Sequence, residues 1–536
     1  MKDFRNPGIR RPQPVKDRTM TDFLKSRASV SDVGDECEKR KASYDMKTLI
    51  KHVTILTMDD ADRVLRDGWL LIDGEKIAAL GEGEQKQAAS GAAASACSSA
   101  GASSATAQQE ETALDDRTVA SAQTNAAAQP IEGLQQAEAV ADEVIDGAGG
   151  ILLPGFVNTH CHVSMVPFRS MGDDCPDRLR RFLFPLELEA MTPELVYWGA
   201  LYGIAEMFLS GTTTFLDMYY FEDRVAEACE QAGIRGYLGE TLIGQKTCDS
   251  PDEAYGGFAY QKDFFAEYHG ARHPRIYPII APHGTTTLSP EKLRAAHELA
   301  VKYDTIFTLH ASEMDYEMEH FRAMGMTPTA FLDSIGALDV HTLAAHCIHM
   351  TEEDLQLMKR RGAGIAHCIC SNTKAGKGVA PMERARQLGV GFGLGTDGPS
   401  SGNTLSMFDQ MRMLPNAQKT ANHDRSLFPA RTIVRAATRG GAEVLHGSDY
   451  GYLAPGMAAD LTLVSTEAAH MFPVYNPFSA LAYAANAADV DTVFANGRMV
   501  VRHGELTTLD LAEIRAQLVE KMKPFMAAAE KYSDII

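Results

Sequence analysis

Between residue 154 and about residue 446 the chain alternates helix-patterned segments with short apolar runs that end in polar residues, the pattern of repeated β/α units. The runs fall at 155–159, 213–216, 236–238, 276–280, 306–309, 343–345, 364–366 and 390–394. Eight such runs predict an α/β fold closed as a (β/α)₈ barrel over residues 154–451. That architecture fills its own centre with side chains and leaves its C-terminal strand ends open for chemistry, so the residues just after each run are the ones to inspect.

The flanks read differently. Residues 48–57 alternate in β fashion, 68–80 form a hairpin pattern about Asp73-Gly74, and 143–146 and 151–156 continue it. The pattern returns at 459–465 and 490–502, with a turn at Asn496-Gly497, and a helix is expected from Leu509 to about Lys531. Segments 46–84, 142–153 and 452–536 are therefore expected to build a small flanking β-sandwich, with a C-terminal helix, from both ends of the chain. Residues 1–45 are polar and lack periodicity, and 85–141 are rich in Ala and Ser without a sustained apolar stripe. Both are expected to be disordered, the first as an extension and the second as an insertion that interrupts one domain.

Composition narrows the partners. The 536 residues carry 51 Lys plus Arg against 71 Asp plus Glu, a formal charge of −20, which disfavours phosphate backbones and anionic lipid. No run of about 18 apolar residues and no secretory signal is present. Nine scattered cysteines, an odd number, read as reduced thiols. The expectation is a cytoplasmic protein with a small-molecule substrate, no nucleic acid, no membrane, and room for a homo-oligomer.

The first run ends in Asn158-Thr-His-Cys-His162; residues i and i+2 share a face of an extended chain, so His160 and His162 make half of a divalent-metal site. Later runs end at His310, His346 and Asp397. A three-His, one-Asp shell suits one Zn²⁺, or Fe²⁺, with an open position for a water whose acidity the cation raises. Asp397 can also accept a proton from that water, and Glu313, three residues past His310, is placed to protonate a ring nitrogen or leaving group.

Pro154-Gly-Phe-Val-Asn-Thr-His-Cys-His162, Leu309-His-Ala-Ser-Glu313, Ala345-His-Cys-Ile-His349 and Gly395-Thr-Asp-Gly398 resemble the amidohydrolase superfamily. Within it they resemble the branch of S-adenosylhomocysteine/5'-methylthioadenosine deaminases and triazine chlorohydrolases. The resemblance implies His160, His162, His310 and Asp397 as ligands of one metal, Glu313 as proton shuttle, and His346 as a second catalytic group. It implies substrate contacts for His283, for Glu313 and for Arg169, in a loop with the family's Met, three residues, Arg, paired-Asp pattern. Glu187, in Phe184-Pro-Leu-Glu187, matches a glutamate that binds ribose hydroxyls, because one carboxylate can accept from two adjacent hydroxyls.

The implied activity is hydrolytic deamination of an adenosine-like nucleoside or thionucleoside: 5'-methylthioadenosine, S-adenosylhomocysteine, adenosine or 5'-deoxyadenosine. Alternatives are deamination of guanine, a pterin or cytosine, hydrolysis of a triazine, and a metal-free scaffold. The chain departs from the family in three places: the family's Trp-Leu before the Glu187 segment is absent, and Arg178-Leu-Arg-Arg-Phe182 stands there instead. The loop after the third run offers only Lys246 to an amino-acid carboxylate, and Cys368 and Cys370 stand where the family has Asn-Pro. The two cysteines are expected to be buried thiols on one strand face.

Overall fold

The computed structural model describes residues 46–83 and 131–534. The expected terminal extension and most of the low-complexity tract lie outside them. Five strands come first: β1 (Lys47–Leu56), β2 (Val64–Asp73), β3 (Lys76–Glu82), β4 (Glu143–Asp146) and β5 (Ile151–Pro154). The barrel follows as β6 (Phe156–Cys161), β7 (Thr212–Tyr219), β8 (Arg235–Leu242), β9 (Ile276–Pro278) with β10 (Ala281–Pro282), β11 (Phe307–Ala311), β12 (Thr342–His346), β13 (Gly364–His367) and β14 (Phe392–Leu394). Then come β15 (Leu461–Val464), β16 (Val490–Ala495), β17 (Arg498–Arg502), β18 (Glu505–Leu506) and a helix, Leu511–Ala529.

All eight apolar runs lie on barrel strands. Every residue of β7 and β8 is buried, as expected of parallel strands covered on both faces. The strands pair in parallel from β6 to β10 and from β11 to β14. Bridges Ile280–Phe307 and Gly284–His310 join the two arcs. The other seam closes through Thr396 N–H donating to Asn158 Oδ1 at 3.0 Å and Asp397 N–H donating to the His160 carbonyl at 3.0 Å. Gly393 is required there: a Cβ would stand 2.4 Å from Thr159 Cγ2. Three helices of the outer ring open on a hydroxyl-Pro pair (Thr192-Pro193, Ser289-Pro290 and Thr327-Pro328), and each hydroxyl accepts an N–H three residues on.

The two ends of the chain meet in one nine-stranded sheet of order β18-β17-β16-β15-β5-β1-β2-β3, with β4 also on β1. It folds back on itself, because the β3 edge bonds the segment before β15 (Ile77 N–H to the Met457 carbonyl, 2.9 Å). The core between its halves gathers Ile50, Leu70, Ile77, Leu152, Leu461 and Phe494. The far face of β1 and β2 is covered by Ala137 of a helix, Leu134–Val140, so the last residues assigned to the low-complexity tract are ordered and packed.

Candidate active site

A β-bulge sets the site up. Along β6 and β7, Asn158 pairs with Phe215 and Cys161 with Asp217, so the two residues between them on β6 oppose one on β7. The extra residue shifts the alternation: Val157 packs in the barrel centre, while His160 and His162 both face the C-terminal mouth. Three other strand ends adopt left-handed backbone at Ser312 (φ 52°), His346 (φ 70°) and Asp397 (φ 60°). Non-glycine residues take that conformation at a cost, typically where a functional side chain must be aimed.

The imidazoles of His160, His162, His310 and His346 converge, with His160 4.9 Å, 5.0 Å and 5.5 Å from the other three ring centroids. Among the described residues two groups present atoms within 4.8 Å of one another: His160, His310 and His346, and His160, His162 and Asp397. His160 is wholly buried and neither of its ring nitrogens has a hydrogen-bond partner. The unprotonated nitrogen of this neutral ring, a lone pair without a partner in the middle of an imidazole cluster, fits a bound cation.

The second contacts orient this set. His162 Nδ1 meets the Met218 carbonyl at 2.6 Å and His310 Nδ1 meets that of His283 at 2.5 Å. Both leave Nε2 for the centre. Asp397 Oδ1 accepts from Gly398 N–H at 2.7 Å, and its Oδ2 from Ser371 Oγ at 2.6 Å. Burial drives the His160 and His310 pKa values well below the usual range, aided by neighbouring imidazoles, so both stay in the neutral, ligating form. Burial opposes the charged form of His162 too, but Asp397, 3.3 Å away, outweighs it and carries that pKa up to about 9. Burial would likewise raise Asp397, yet its bond with His162 and the other imidazoles hold it well below the carboxylate range.

A cavity of about 870 Å³ opens above the cluster, within the range of small-molecule sites. Its wall includes His162, His310, His346, Asp397, Glu313, His283 and Glu187, so these sequence-assigned residues share one space. Glu313 Oε1 lies 3.7 Å from His346 Nε2 and 2.5 Å from Lys377 Nζ. Burial alone would raise its carboxyl, but His346 and Lys377 hold it well below the ordinary value. Glu187 accepts from Tyr219 at 2.9 Å; burial, only partly offset by that bond and by His162, pushes it up to about 7. Burial pulls His283 down to about 4.

Arg169 lies apart from the cavity wall: its guanidinium pairs with Glu206 and braces the loop after β6. Lys246 is exposed and also off the wall. Cys368 and Cys370 do not share a strand face, because β13 ends at His367 and a helix, Ile369–Lys374, begins at once. Burial raises both thiols' pKa values, as inert thiols require. Ser371, Asn372 and Lys377 escaped the sequence reading, although Ser371 and Asn372 stand in the stretch inspected for its cysteines.

Residues 151–500 match the family model described as the amidohydrolase family. A 5-methylthioadenosine/S-adenosylhomocysteine deaminase of Pelotomaculum thermopropionicum is 39% identical over 376 residues, 70% of this chain and 86% of that protein. A 5'-deoxyadenosine deaminase of Methanothermobacter thermautotrophicus is 39% identical over 69% of this chain and 86% of its own. Among solved structures, a zinc-bound adenosine deaminase from Xanthomonas campestris superposes with a TM-score of 0.77 at 26% identity, covering 90% of this chain and 98% of that one. The family model spans the whole barrel and the relatives extend over most of its length: the chain belongs to the amidohydrolase family.

Proposed function

We propose that the protein is a metal-dependent hydrolytic deaminase of an adenosine-like nucleoside or thionucleoside, releasing ammonia and the inosine-type product. The observation that carries the substrate class is Glu187, a buried carboxyl that opens into the same cavity as Glu313, His346 and Asp397. The deaminases that share 39% identity support it. The charge of −20 supports a small molecule over a polyanion, and seven free cysteines among the described residues support a reducing, cytoplasmic setting.

His160, His162, His310 and Asp397 are the residues that would hold one divalent cation, Zn²⁺ first among the choices for such a donor set. When bound, that cation supplies an acidified water at neutral pH. Asp397, held ionised by the imidazoles around it and oriented by Ser371 and Gly398, accepts the second proton of the water once its oxygen has added to the carbon bearing the amine. His346 donates Nδ1–H to Asn372, which leaves Nε2 facing the cavity to orient the attacking water. Glu313, held ionised by His346 and Lys377, takes the first proton of the water and delivers it to the adjacent ring nitrogen, then relays the second, taken up by Asp397, to the departing amine, so the C–N bond breaks as ammonia leaves and a carbonyl forms. Glu187 accepts from the two ribose hydroxyls and fixes the ring against these groups.

The test is ammonia release from zinc-loaded protein offered adenosine, 5'-methylthioadenosine, S-adenosylhomocysteine, 5'-deoxyadenosine, guanine, cytosine, a pterin and a triazine. Turnover of the nucleosides, lost on Glu187→Gln, is expected. Turnover of the triazine or a free base alone, unaffected by Glu187→Gln, refutes the substrate class.

A further inference from the structure

The short helix Ile369–Lys374 and the loop after it touch three of the groups that move or direct protons in the proposed reaction. Ser371 Oγ donates to Asp397, Asn372 Oδ1 receives His346 Nδ1–H at 2.8 Å, and Lys377 Nζ donates to Glu313 Oε1 at 2.5 Å. The loop is anchored between them: Lys377 N–H donates to the Asn372 carbonyl at 3.0 Å. Lys374 Nζ bonds Asp173, Asn403 and the Ser401 carbonyl.

Lys377 differs from the other cations of the cavity wall. Arg178 is committed to Asp173 and to the 400–401 turn, and Arg180 lies over the Tyr316 ring near Asp177. The Lys377 side chain is only 24% exposed, and its partner is the carboxylate placed to carry protons. Glu313 follows a strand end on a side chain with three rotatable bonds, so fixing it before substrate arrives removes an entropy cost from the chemical step. Its own backbone N–H is already tied to Glu317 Oε2 at 2.8 Å; Lys377 and His346 complete the fixation at the carboxylate.

We infer that Lys377 is a positioning residue of the reaction, holding the Glu313 carboxylate beside His346 in the geometry from which it delivers protons. The inference rests on Glu313 being the proton carrier. Lys377 neither gains nor loses a proton in the cycle: Glu313 carries one water proton to the ring nitrogen, where it stays, and relays the second, from Asp397, to the amine. Loss of Lys377 should therefore slow the chemical step while leaving ground-state binding to Glu187 intact. It should matter less for a leaving group that departs without a proton, such as the chloride of 6-chloropurine riboside, which leaves as Cl⁻.

The experiment compares wild type, Lys377→Ala, Lys377→Met and Lys377→Arg, all zinc-loaded with metal content and unfolding midpoint measured, on 5'-deoxyadenosine and on 6-chloropurine riboside. The expected result is a fall of about 10–100-fold in kcat for the amine with KM within about twofold, a clearly smaller fall for the chloride, and recovery of most activity by Arg. An unchanged kcat, equal losses on the two leaving groups, or losses that follow metal content or unfolding overturn the inference. So does a rise in KM confined to S-adenosylhomocysteine or adenosine 5'-phosphate, because Lys377 would then be an anion receptor. A wild type that turns over no aminopurine nucleoside overturns the functional reading, and this inference with it.

Discussion

Two buried ion pairs stand at opposite ends of the same barrel. At the floor, Arg235 opens β8 and pairs with Asp460, the residue before β15; their side chains are 6% and 4% exposed. Arg235 also bonds Thr214 Oγ1 at 3.1 Å and lies 4.2 Å over the Tyr450 ring. Asp460 receives Asn496 N–H at 2.6 Å, so the pair rivets the flanking sheet to the barrel. At the mouth, Glu313 and Lys377 are 14% and 24% exposed and border an 870 Å³ cavity. Both pairs hold charge in a poor solvent, but only the upper one faces a space a substrate can enter. Burial by itself therefore does not mark function; the side of the barrel on which it occurs does.

The largest expected effect tests the upper pair. Glu313→Gln keeps the shape and removes the proton carrier, and kcat for nucleoside deamination should fall by about 10²–10⁴-fold in a steady-state ammonia assay, with the urea midpoint little changed. Asp460→Ala should do the reverse. It strands a buried guanidinium and should remove about 3–5 kcal/mol from unfolding in denaturant titrations, while kcat per folded, metal-loaded molecule stays at the wild-type value. If both variants lose stability alike, the distinction between the ends of the barrel is gone. A third variant, Asn372→Ala, sharpens it from above: His346 loses the acceptor that fixes its ring, and kcat should drop by about 10–100-fold without loss of bound zinc, measured by elemental analysis. Loss of zinc in that variant would place His346 among the ligands instead.

These contrasts also explain what the sequence could and could not disclose. The eight strands were readable because each is a local apolar run, and His160, His162, His310, His346 and Asp397 because each ends one. The bulge between Asn158 and Cys161 was not, since it exists only in the pairing of β6 with β7. Nor was the Arg235–Asp460 pair, whose partners are 225 residues apart. Ser371, Asn372 and Lys377 were hidden because a short polar helix has no periodicity to announce it, and their roles depend on side chains from three other strand ends. Arg169 shows the same limit: its pairing with Glu206 is a contact that no spacing records.

Glu187 supplies the finest comparison, a buried carboxyl at the mouth whose surroundings do not offset its burial. Glu313 is kept ionised by its neighbours, whereas at Glu187 the Tyr219 hydroxyl and the charge of His162 only partly offset burial, which brings it to about 7. Its carboxylate form is the one that accepts from two ribose hydroxyls. Raising the pH through 7 therefore favours binding: between pH 6 and pH 8 the ionised fraction of a group with that pKa rises about tenfold, and kcat/KM for a ribonucleoside should rise in step. A 2',3'-dideoxynucleoside, which offers no hydroxyl pair, should lack this limb of the profile, and so should the Glu187→Gln variant. A limb that persists in both belongs to another group, and Glu187 would then be a wall of the cavity and not the reader of its sugar.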